Sequence, residues 1–233
     1  MDVALRYAVL LVGLSLMSLG IAFSIRSALG TTPISSLPYV LSILTPLSVG
    51  TLMILLNLVF VAAQVLILRR RFAPIQLLQI PVVIVFGMLN DAALWLLRDL
   101  TYSAYWQQWL LTVVGIVVVG IGVAVQITAK ATPLAGEGLV LTLSTELARR
   151  FGPKRPFLFG SMKIQFDATL VLISAALALI FTSSLAGVRE GTVAAAICVG
   201  FVVQLTLRLL EPVRSVEKAI VQVEASAEAP ASP

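Results

Sequence analysis

A chain of 233 residues that is 59% hydrophobic and only 12% charged, with a mean hydropathy of +1.04, has too few charges to cover a water-facing surface of its size. It has no histidine and one cysteine, Cys198, which excludes a disulfide framework, a cysteine zinc site and the usual Ser-His or Cys-His nucleophile pairs, so neither an enzyme nor a metal or cofactor is expected. The net charge of +5 and pI near 9.8 come from short basic clusters between apolar runs, a pattern of membrane topology and not of nucleic-acid binding.

In chain order, apolar segments long enough to cross a bilayer as helices run over Val3 to Ile25, Val49 to Leu68, Leu77 to Leu97, Trp109 to Ile127, Pro156 to Phe181 and Thr192 to Leu210. The first exceeds the apolar core of a signal peptide and is expected to be retained. An even number of crossings puts both termini on one side. With that side cytoplasmic, twelve of the 16 Lys and Arg residues lie inside, only Arg26, Arg98 and Arg189 lie outside, and Lys163 stays within a span. Short basic loops translocate poorly, so this asymmetry predicts a multi-pass cell-membrane protein with cytoplasmic N- and C-termini. Tyr102, Tyr105, Trp106 and Trp109 then fall at the outer interface, where amphipathic rings are favoured. From about Glu211 the apolar character ends, and residues 213–233 are expected to form a disordered cytoplasmic tail.

The helices are interrupted twice. After the first span, Leu29-Gly30-Thr31-Thr32-Pro33 breaks the helix, and a short apolar segment from Ser35 to Leu44 follows. After the fourth, Thr132 to Gly138 breaks it, and a segment continues to about Arg150. Sliding the chain over itself aligns Gly20-Ile21-Ala22-Phe23 with Gly122-Val123-Ala124-Val125, Leu37 with Leu139 and Ser42 with Ser144. Further on, Gly50 aligns with Gly160, Asn57 with Asp167, Gly87 with Gly200 and Asp91 with Gln204. The expected fold is therefore an all-α membrane protein of six transmembrane helices, built as two inverted three-helix repeats, 1–100 and 101–212, with broken or re-entrant segments after helices 1 and 4.

The stretch Gly20 to Leu37, reading GIAFSIRSALGTTPISSL, together with Gly136-Glu137-Gly138-Leu139 and the Gly-x-x-x-Asp and Gly-x-x-x-Gln patterns at Gly87 to Asp91 and Gly200 to Gln204, resembles the YczE/YitT group of bacterial integral membrane proteins over about residues 5–210. The resemblance implies a membrane fold and little mechanism. That family carries an acid two residues after the proline of a Gly-x-x-Pro motif. Here Ser35 occupies the position in the first half and Glu137 in the second, where Ala135 replaces the proline; a gapped register instead pairs Pro33 with Pro133.

Two half-helices entering from opposite faces would aim free N–H groups and partial positive charge at a shared focus. This makes Thr31, Thr32, Pro33, Ser35 and Glu137 candidates for binding a small polar or charged solute; the competing reading makes the breaks surface loops with ordinary capping residues. Ionisable groups within spans cost about 2.5 to 3.5 kcal/mol on insertion scales and usually face a partner or a cavity. Lys163 and Asp167, four apart on one helical face, form such a pair, and Asn57, Asn90, Asp91 and Gln204 extend the polar set. Here the competing reading is ion-pair neutralisation and polar contacts between helices, to which Gln126 and Gln204 are assigned. The leading expectation is a transporter or facilitator of a small polar or charged metabolite, driven by an ion gradient because no ATP-binding Gly-rich loop is present. A channel, or a non-transporting accessory that positions a partner through the basic loop Arg149 to Arg155, are the alternatives. The expected partners are the lipid bilayer and a solute, not nucleic acid, with homo-oligomerisation left open.

Overall fold

The computed structural model describes residues 2–152 and 154–228, with side chains as far as Leu210. Eight α-helices and three short 3-10 turns make up the secondary structure of the described residues: α1 Val3–Arg26, α2 Pro33–Leu44, α3 Val49–Leu68, α4 Gln79–Leu96, α5 Tyr105–Ala129, α6 Ala135–Phe151, α7 Phe159–Thr182 and α8 Glu190–Glu228. Six of them (α1, α3, α4, α5, α7 and the stretch of α8 to Leu210) are long and apolar enough to span a bilayer. The protein is thus an all-α membrane protein. The segment expected as a tail, 213–233, lies on α8 as far as Glu228, and 229–233 are outside the described residues.

Tight packing begins where α1 crosses α5. Small residues let two backbones approach when no hydrophobic effect drives helices together in lipid. Gly13 meets Gly122, and Gly20 meets Gly115, in antiparallel order: a Cβ on Gly20 would lie 2.7 Å from the Gly115 carbonyl oxygen, and one on Gly122 2.8 Å from that of Gly13. This is the most extensive helix pair. Leu10, Leu14, Met17 and Ile21 of α1 are buried along it with Val119 of α5 and, from α4, Val82 and Phe86. α4 flanks α1 and α8 flanks α5, so that α4, α1, α5 and α8 form one row.

The second row consists of α3 and α7 with the two short helices between them. α2 packs on α3 and α7, and α6 packs on the same two. α2 and α6 meet at their starts, where Ile34 Cδ1 fills the space a side chain on Gly136 would need. Leu37, Phe60, Val61, Leu139 and Leu170 surround this junction, and the Phe60 and Phe166 rings meet edge to face at 5.2 Å. The two sequence halves therefore do not pack as separate bodies, since each row draws helices from both.

The rows pack most extensively along one edge. There α3 lies against α4: a Cβ on Gly87 would be 2.7 Å from the Gly50 carbonyl oxygen, and Asp91 caps α3 by accepting from the Gly50 N–H (2.7 Å) and the Ser48 hydroxyl (2.6 Å). On the opposite edge α8 rests on α5 and touches α2 but is not packed along α7. Neither Gly160 nor Gly200 has a heavy atom of a neighbouring described segment within 4 Å of where a Cβ would stand.

Candidate functional site

The first break is sealed. Ala28 (φ 57°) and Gly30 (φ 110°) turn the chain through the left-handed region, and a Cβ on Gly30 would collide with the Thr192 hydroxyl at the start of α8. The freed backbone groups find partners there: Gly191 N–H donates to Leu29 O (2.8 Å), and Thr31 N–H to Thr192 Oγ1 (3.2 Å). Thr31, Thr32, Pro33 and Ser35 are all buried. Their hydroxyls are turned on one another, Ser35 Oγ lying 3.0 Å from Thr31 Oγ1 and 2.5 Å from Thr32 Oγ1. Ser36 continues the network across to Ser174 of α7 at 3.0 Å.

At the second break the N-terminus of α6 is held by an amide pair. Gln64 of α3 and Gln79 of α4, each 1% exposed, donate to each other's side-chain oxygen at 3.1 and 3.3 Å, and Gln64 also donates to Ala135 O at 3.0 Å. In the first turn of α6, Glu137 is half-buried, within electrostatic reach of Lys163 and Asp167. Those two form a bidentate ion pair, Lys163 Nζ to the Asp167 oxygens at 2.5 and 2.6 Å. Glu137, Lys163 and Asp167 thus form an ionisable trio from α6 and α7.

The remaining candidates are dispersed. Asn57 is buried in α3, donating to Met53 O at 2.8 Å. Asn90 is buried between α4 and α1, donating to Ser18 Oγ at 3.1 Å and Phe86 O at 2.7 Å, with its own Oδ1 unpartnered. Asp91 is the cap of α3 already described. Gln204 is exposed on α8 and joins none of the others, because α8 stands away from α7. The focus between the two half-helix starts is apolar, Ile34 against Gly136, rather than a polar pocket shared by Ser35 and Glu137.

A cavity of about 670 Å³ opens elsewhere, at the end of the bundle where α1 and α6 begin and α3 and α5 end. Arg6 and Tyr7 reach it from α1, Arg71 and Gln76 from the turns joining α3 to α4, and Lys130 and Thr132 from the link into α6. None of the eleven residues singled out from sequence lines it. Its cations register in the sequence as topology signals, and only their convergence in space distinguishes them from ordinary interfacial charges. Among the described residues no group of three or more Cys, Asp or Glu side chains is placed to hold a metal ion.

Comparison with curated proteins finds no match, and comparison with solved structures finds none. A sequence model of one family matches almost the whole helical region, residues 4–208. The chain belongs to that family, DUF6198, a family of unknown function.

Proposed function

We propose that this protein is a secondary transporter or facilitator of a small polar or charged metabolite, built as an inverted repeat of the YczE/YitT kind, and that its two helix rows rock against each other. The carrying observation is the difference between the two edges. Gly50 and Gly87 are in backbone contact across the closed α3/α4 seam, while their sequence counterparts, Gly160 on α7 and Gly200 on α8, have no neighbouring described segment within 4 Å. The same face of α7 carries Lys163 and Asp167, at positions three and seven after Gly160. Their counterparts in the closed seam, Met53 and Asn57, are 2% and 5% exposed, whereas the Lys163 and Asp167 side chains keep 32% and 22%. An ionisable pair lining the open edge is where a charged solute or coupling ion would enter.

Further contacts follow the repeat. Adding 102 to Gly13 and Gly20 gives Gly115 and Gly122, so the Gly13 to Gly122 and Gly20 to Gly115 contacts exchange with each other. α2 and α6 begin at Pro33 and Ala135, again 102 apart, which favours the ungapped register that pairs Ser35 with Glu137. In this reading the closed edge shuts the outer side, the open edge faces the cytoplasm with both termini, and the alternate state closes α7 onto α8.

Solute flux into proteoliposomes tests the proposal. Asp167→Asn is expected to lose coupled flux. Gly200→Leu, which meets open space here, is expected to fold with an unchanged melting temperature and yet lose transport, because it blocks closure of the second seam. Wild-type flux in both variants would overturn the reading. Absence of flux for every solute offered, with a fixed partner co-purifying through Arg149 to Arg155, would favour the accessory role.

A further inference from the structure

The 670 Å³ cavity at the basic end is chemically unlike the α7/α8 gap. Three segments supply its charged lining, Arg6 from α1, Arg71 from the turn after α3 and Lys130 from the end of α5, and among the described residues no carboxylate lines it. Arg71 is shared with Glu146 at 3.4 Å. Among the described residues, Arg6 and Lys130 have no carboxylate within ion-pair distance. Cations brought together at the rim of a low-dielectric bundle repel one another, and an anion between them removes that cost. Charge is not the only cue. Gln76 Oε1 is buried at the cavity with no hydrogen-bond partner among the described residues, an acceptor awaiting a donor from whatever fills the space. Most of the remaining wall is apolar or aromatic, including Val3, Tyr7, Ile75 and Leu141, and Gln79, Thr132, Thr142 and Thr145 are its other polar residues.

From these features we infer that the cavity is a binding site for a phosphate ester that carries a hydroxyl or amine close to its phosphate. Arg6 and Lys130 hold the phosphate oxygens, Arg71 adds charge at the edge, and the ligand's hydroxyl or amine donates to Gln76. A glycerophosphate group satisfies this pattern in two forms, as a soluble organic phosphate or as the headgroup of an anionic phospholipid whose chains lie along the apolar wall. The inference does not depend on transport, since it concerns binding at equilibrium.

The test uses the full chain in phosphatidylcholine nanodiscs. Thermal unfolding is followed with added glycerol 3-phosphate, with glycerol and sodium chloride matched for concentration and ionic strength, and in parallel discs containing phosphatidylglycerol. The expected result is stabilisation by glycerol 3-phosphate or by phosphatidylglycerol. The apparent affinity should fall about tenfold or more in Lys130→Gln and in Arg6→Gln, as for loss of one charge-assisted contact. It should be unchanged in Arg150→Gln, which removes a charge outside the cavity. Response to the soluble ester identifies a free ligand, and response only to the lipid identifies a headgroup. No stabilisation by either, or equal stabilisation in all three variants, would overturn the inference. Should Arg6→Gln fail to fold, Lys130→Gln decides alone. Absence of flux in the wild type for every solute offered, with this stabilisation intact, would count against the transport reading only.

Discussion

Asp91 shows how far a residue's type can be read without its partner. Its place in a span marks it as a candidate for solute contact, and the structure spends both its carboxylate oxygens on the first turn of α3, at Gly50 N–H and Ser48 Oγ. Asp91→Ala is expected to lower stability by about 1.5 to 3 kcal/mol, the range for hydrogen bonds to a charged group, which a melting curve in detergent would reveal. Gln64 and Gln79 make the opposite case: amides that attract no notice in the sequence anchor the start of α6 from full burial. Gln64→Leu strands the buried Gln79 amide and removes a second bond to the Ala135 carbonyl, at about 1 to 3 kcal/mol, and the same melting measurement checks it. Lys163 and Asp167 were legible as a pair because four-residue spacing on a helix brings side chains together whatever surrounds it. Their neighbour Glu137 was legible only as part of a break, since its approach to them depends on how α6 lies against α7.

At the scale of elements, hydropathy locates the spans within a few residues: Val49 to Leu68 coincides with α3, and Thr192 to Leu210 falls within α8. That accuracy has a simple cause, because a bilayer demands about 20 apolar residues and tolerates few charges. The short helices α2 and α6 are equally visible, each announced by Pro or Gly and too short to cross. Hidden from hydropathy is which glycines touch. Gly20, Gly50 and Gly200 all sit in apolar helices, yet Gly20 lies against the α5 backbone, Gly50 against α4, and Gly200 against nothing described. Gly20→Leu is therefore expected to cost more than about 3 kcal/mol, since backbone atoms 2.6 to 2.7 Å from its Cβ have no room to yield. Size-exclusion chromatography should show aggregation for Gly20→Leu and a monodisperse peak for Gly200→Leu. Similar behaviour of the two would contradict the packing described.

For the whole molecule, hydropathy supplies the number of apolar spans and the internal match suggests a repeat, but neither gives the way the helices interlock. Reading the repeat suggests two bodies, one per half. The glycine crossing of α1 and α5 instead ties the halves together along their first helices, and the packed units are the rows α4-α1-α5-α8 and α3-α2/α6-α7, between which the proposed motion runs. The central claim is that these rows alternate between closing the α3/α4 seam and closing the α7/α8 seam. Pulsed electron spin resonance between spin labels at Phe159 and Leu209, exposed sites near the basic ends of α7 and α8, measures this directly in a Cys198→Ser background. The account predicts two distance populations whose ratio shifts with the transported solute or an imposed ion gradient, the shorter one vanishing in Gly200→Leu. A single distance that no solute or gradient alters would contradict it.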